Sequence, residues 1–213
     1  IGNHDVWAYT RNEEGDRPIG DSLINEIFKE EFNELSLFFD NWDDGQRLSR
    51  TWNPEGETYQ YLQNFSFEYK GYTFLMTDFN PRYHVVRYPP EPGIGPEAQI
   101  MDFENGTWPW FKESIENVAG ANQEHVIIAS HHPPIKDIFG PLFAFDFNEL
   151  IKLKSFLFDY RTDVSHWLAG HIHRLNEINL SSVDSRYRIC QVWETNANKE
   201  WEWGMFRLVD VYE

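Results

Sequence analysis

The chain has 213 residues, of which 41% are hydrophobic and 25% charged, a balance that suits one folded domain and excludes an extended disordered tract. Its formal net charge of −17 disfavours a nucleic-acid polymer as partner, because phosphate backbones select Lys and Arg, and no apolar run approaches the roughly 18 residues of a membrane span. A single cysteine, Cys190, excludes an internal disulfide and reads as a buried thiol.

The chain opens on the polar turn Gly2-Asn3-His4-Asp5. After a loop over 11–20, Leu23, Ile24, Ile27, Phe28, Phe32, Leu35 and Phe38 recur at helical spacing behind an Asp21 or Ser22 cap. They predict a helix over 22–38 with that stripe packed into the core. Residues 40–57 show no period and read as a loop carrying Trp42 and Trp52, a wall for a substrate cleft. Asp40, Asp43 and Asp44 have a superficial likeness to a calcium loop, but the spacing and a closing glutamate are lacking. Two strands, 59–69 and 72–78, joined at Lys70-Gly71, predict a hairpin. Four prolines and two glycines mark 83–99 as an irregular loop. A helix is expected from Thr107 or Trp108 to about Val118, with Pro109 in its first turn. Residues 125–130 read as a buried strand, and Asp146 as the cap of a helix reaching about Tyr160 with Leu150, Ile151, Leu153, Phe156 and Leu157 inward. A strand over 164–169 follows, and then antiparallel strands over 176–180, 187–193 and 204–212. Three Asn-x-Ser/Thr triplets, beginning at Asn64, Asn105 and Asn179, occur in an Asn-rich chain and leave the compartment open.

The chemistry concentrates where strands end. Ser130-His131-His132-Pro133-Pro134 follows one apolar strand, and Gly170-His171-Ile172-His173 follows another. The carboxyl ends of strands in α/β proteins are where ligands bind, and the prolines there stop the strand and stiffen the turn. Imidazole nitrogens with an asparagine oxygen from Asn3 suit borderline divalent metals such as Zn, Mn or Fe(II). His171 and His173, two residues apart in an extended turn, are placed to serve two neighbouring ions.

Taken together, Gly2-Asn3-His4-Asp5, His131-His132-Pro133 and Gly170-His171-Ile172-His173 resemble the last three motifs of the calcineurin-like metallophosphoesterases. The 65–69 and 74–78 segments look like the hairpin many members carry, and Trp110-Phe111-Lys112-Glu113 resembles the helix before the third motif. The family's first two motifs, Asp-x-His and Gly-Asp-x-x-Asp, are absent from residues 1–213. The resemblance implies an α/β fold, a mixed β-sandwich flanked by helices and incomplete at its N-terminus. Residues 1–213 are then a single phosphoesterase domain whose partner is the missing N-terminal segment. It implies hydrolysis of a small phosphomonoester or phosphodiester with two divalent ions (Mn, Fe or Zn) in the complete domain, and at most one of them in this chain. By motif, Asn3, His131 and His171 would hold one metal and His173 the other. His4 would act catalytically at the leaving oxygen, Asp5 would orient its turn, and His132 would sit beside the ligands. Arg82 and Arg174 are candidates for a phosphate clamp. The alternative is a catalytically inactive binding or scaffold module on the same fold.

Overall fold

The computed structural model describes residues 19–82, 98–119, 125–134, 145–160, 163–171, 176–179 and 191–194. Four helices are present among them: α1 (Ile19–Ile27), α2 (Lys29–Phe38), α3 (Thr107–Ala119) and α4 (Phe147–Asp159). The strands are β1 (Asp40–Asp43), β2 (Arg50–Asn53), β3 (Thr58–Tyr61), β4 (Phe65–Tyr69), β5 (Tyr72–Thr77), β6 (Val126–Ser130), β7 (Val164–Ala169), β8 (Asn176–Asn179) and β9 (Gln191–Glu194). Seven of them form a mixed sheet in the order β1-β4-β5-β6-β7-β9-β8, while β2 and β3 pair separately. This mixed sheet flanked by helices is the α/β architecture expected from the sequence.

The hairpin forms around Lys70 and Gly71, with Tyr69 paired to Tyr72. Both turn residues have positive φ, 50° and 77°, the condition of a type I′ turn, whose twist matches that of the strands it joins. β5, β6 and β7 then run parallel, and Leu75, Ile128 and Trp167 lie side by side. That row is buried under α3 and α4. Phe79, Phe111, Ile115, Leu150, Leu153 and Leu157 complete the core with it. The Asp146 carboxylate accepts from the Asn148 N–H at 2.8 Å, so the expected cap of α4 is in place. Ile151, expected inward, is exposed, because Leu150, Leu153 and Leu157 already define the buried stripe.

The opposite face carries an aromatic stack. Phe67 lies against Phe74 at 4.9 Å, Phe39 at 4.3 Å and Trp42 at 6.0 Å, and Phe65 meets Phe32 at 5.4 Å. Each such pair contributes on the order of 0.5–1.5 kcal/mol beyond its buried area. Here four expectations are corrected. The helix over 22–38 is two helices, broken at Phe28, whose ψ of 20° leaves the helical well. Much of its apolar stripe is exposed rather than packed, including Ile27 (63%) and Phe38 (70%). The 40–57 loop contains β1 and β2, and 59–69 is split, since Thr58–Tyr61 pairs with β2 and only Phe65–Tyr69 joins the main sheet. β9 is antiparallel to β8 as expected, yet lies between β8 and β7 and runs parallel to β7. The 204–212 strand lies outside the described residues.

Candidate metal centre

β6 and β7 are parallel neighbours whose last residues, Ser130 and Ala169, are register partners. The residues just beyond them therefore leave the sheet at one level. The Gly170 N–H donates to the His131 carbonyl at 3.0 Å, tying the two exits together. His171 follows with φ of 70°, a left-handed conformation that is uncommon for a residue with a Cβ. Its Nδ1 lies 3.1 Å from His131 Nε2. Two nitrogens each about 2.0–2.1 Å from one tetrahedral ion stand about 3.3 Å apart, so this pair is already near the spacing of co-ligands. A Cβ at Gly170 would meet His131 Nδ1 at 3.6 Å and its carbonyl at 3.8 Å. Both are ordinary contacts, so close approach alone does not explain the glycine.

His132 completes a triangle. Its ring centroid lies 4.9 Å from His131 and 4.3 Å from His171, and one nitrogen from each of the three rings falls within 4.8 Å of the others. The His132 side chain is fully buried, and neither ring nitrogen has a hydrogen-bond partner among the described residues. Burial, followed by the neighbouring His171 and His131 charges, lowers its pKa well below the usual imidazole value, so the ring is neutral with a lone pair available. The turn beneath it is fixed by residues that motif reading does not reveal. Trp167 Nε1 donates to Ser130 Oγ at 2.8 Å, and that hydroxyl donates to the His132 carbonyl at 2.6 Å. The link spans two strands 37 residues apart, and no local pattern announces it.

Arg82 is not a clamp on the surface. It is buried, and its Nη2 lies 2.5 Å from Asp78 Oδ2 in an ion pair with both side chains wholly inaccessible. A second bond joins Nη1 to Oδ1 at 3.1 Å, and Nη2 also reaches the Tyr61 carbonyl at 2.8 Å. Burial pushes the Asp78 carboxyl up, but the Arg82 charge, its hydrogen bond, the Gln63 N–H and the Asn80 amide outweigh it and hold the pKa at about 2. Asn64 and Thr107 extend this network, the Thr107 hydroxyl donating to the Asp78 carbonyl at 2.6 Å. The guanidinium therefore braces the exit from β5 against β3, and the Thr107 hydroxyl ties the same exit to α3.

Asn3, His4, Asp5, His173 and Arg174, with Tyr88 and most of the Pro-rich loop, lie outside the described residues. Of the two tryptophans expected near a pocket, Trp42 packs into the aromatic stack, and Trp52 is exposed with its ring edge against Tyr59 at 5.1 Å. A cavity of about 500 Å³ instead opens beside His131 and Gly170, walled by Phe28, Phe32, Phe65, Met76 and Leu168. No described helix is long and apolar enough to cross a membrane.

A parallel set of strands ending in converging imidazoles defines an α/β protein with a cluster of three histidines at its strand termini, whose nitrogens could hold a metal ion. The family model for calcineurin-like phosphoesterases matches residues 1–175, and the chain belongs to that family, whose members use divalent metals. Comparison with curated proteins returns no match.

Proposed function

We propose that the chain is a metal-dependent phosphoester hydrolase, with residues 1–213 forming one domain. The observation that carries this reading is the convergence of His131, His132 and His171 nitrogens at adjacent parallel strand ends, in a chain matched over residues 1–175 by the phosphoesterase family. The fit is chemical as well as geometric. The three side chains are imidazoles, His131 and His171 lie near co-ligand spacing, and His132 has two buried nitrogens without partners among the described residues. His131 and His171 would hold one ion together with Asn3, and His173 would contribute to a second. When bound, two divalent ions supply Lewis-acid stabilisation of phosphoryl charge and a nucleophile from water at neutral pH.

The residues of the chain do the rest. Held at the strand ends, His131 and His171 set where the phosphoryl group sits. In the reaction a water oxygen bonds to phosphorus, the ester P–O bond breaks in line with it, and the leaving oxygen takes a proton from His4. Asp5 is assigned to orient that turn, and Arg174 to clamp the phosphate. The apolar cavity beside His131 accepts the organic part of a small phosphoester.

The test is metal content together with hydrolysis of p-nitrophenyl phosphate and its bis-ester, with Mn or Zn added, compared with His171→Ala. The expected outcome is one tightly held ion, lost in the variant, and weak turnover that disappears with it. Bound metal without turnover would confine residues 1–213 to the metal-holding part of the enzyme. Neither metal nor turnover would overturn the reading in favour of an inactive binding module.

A further inference from the structure

We infer that His132 is itself a ligand of the ion held by His131 and His171, so that two strand ends present three imidazoles to one metal. This rests on the metal-dependent reading above and goes beyond it, since the motif resemblance leaves His132 beside the ion. An imidazole in the interior needs a partner for its N–H and one for its lone pair, because a buried polar group left without one loses its hydration with nothing in return. His132 is wholly buried, and neither nitrogen has a partner among the described residues. A histidine that only orients a ligand ordinarily donates to a carbonyl or carboxylate, or bonds to the ligand it supports.

The aim of the ring points the same way. Ser130 Oγ is bonded to the His132 carbonyl, not to its ring, and Pro133 and Pro134 are buried directly behind. The backbone is pinned while the imidazole is left facing the other two. His132 and His171 have the closest ring centroids of the trio, 4.3 Å, and the candidate donor nitrogens all fall within 4.8 Å. Bringing that spacing to about 3.3 Å, as for ligands on one tetrahedral ion, requires a shift of roughly 1.5 Å, within reach of ring rotation. An ion at this point would also satisfy one of the two orphan nitrogens, so the same event relieves part of the burial cost and forms the site.

The decisive measurement uses the full 213-residue chain with ¹⁵N-labelled histidine, titrated with Zn²⁺ and followed by long-range imidazole ¹H–¹⁵N spectra. One His132 nitrogen is expected to move to the metal-bound position at the same Zn²⁺ equivalence as those of His131 and His171. In parallel, His132→Ala should weaken Zn²⁺ binding by more than about 100-fold, beyond the 10–100-fold typical of losing an outer partner. If His131 and His171 move while His132 keeps its metal-free pattern, the inference falls and the metal-dependent reading stands. If none of the three moves, both fall. The spectra of the unsubstituted chain decide this even if the variant fails to fold.

Discussion

At the scale of single residues, His171 holds two demands at once. It brings a nitrogen to the histidine cluster and occupies a backbone conformation, φ 70°, that L-residues other than Asn and Asp visit at a cost of about 1–2 kcal/mol. His171→Asn should therefore keep the fold while losing metal affinity. His171→Val should lose both, with a urea midpoint lower than that of the Asn variant. Ser130 is the second test. Its hydroxyl takes the Trp167 N–H and gives to the His132 carbonyl, so Ser130→Ala leaves two polar groups unmatched and should cost about 1–3 kcal/mol in denaturant unfolding. The two residue roles differ in how far they were legible. His131 and His171 announce themselves through Pro and Gly contexts at strand ends. Ser130 and Trp167 do not, because their bond depends on a parallel register that only the folded sheet supplies.

At the scale of elements, the exit of β5 is braced by charge. Arg82→Ala would strand Asp78 in the interior, and removing one partner of a buried pair costs about 3–5 kcal/mol. The expected result is a large loss of stability at neutral pH, measured by chemical denaturation, rather than a selective rise in KM. The pH sign follows from the folded pKa of about 2 against an ordinary 3.8. The Asp78 contribution is fully present above about pH 3.8 and is lost as pH falls toward 2. Glu149, in the first turn of α4, behaves oppositely. Burial pushes it up to about 7, against the Ile100 N–H that Oε1 accepts at 3.3 Å. The folded state thus binds a proton that the unfolded chain releases near 4.5. Stability from this group is full below pH 4.5 and declines as pH rises through 7, and Glu149→Gln should flatten that slope in a pH series of melting curves. The elements themselves were unevenly legible. The Lys70-Gly71 turn, β6 and α4 followed from local pattern. The break at Phe28 and the ribbon of β2 and β3 did not, since neither has a periodic or capping signature, and the exposed stripe of α1 and α2 shows that helical spacing alone does not say what covers it.

At the scale of the whole molecule, the formal charge of −17 opposes compaction by self-repulsion. Raising NaCl from about 10 to 150 mM shortens the screening length from about 30 to 8 Å and should raise the melting temperature; an unchanged value would mean the negative charge is dispersed too widely to matter. The architecture was legible as a class because apolar strands alternate with capped helices, whereas strand order was not, since nothing local places β9 between β7 and β8. That order has a kinetic consequence. The hairpin of β4 and β5 closes through a two-residue turn, but β5 finds its parallel neighbour only across a long excursion, as in the Thr77 hydroxyl bond to the Ala129 carbonyl 52 residues away. Loop closure on that scale precedes any reward from contact, so sheet completion is slow relative to local structure. The hairpin is then the early-formed seed on which the later strands assemble, and the histidine cluster, built from the exits of β6 and β7, comes into being only after those two strands have joined it.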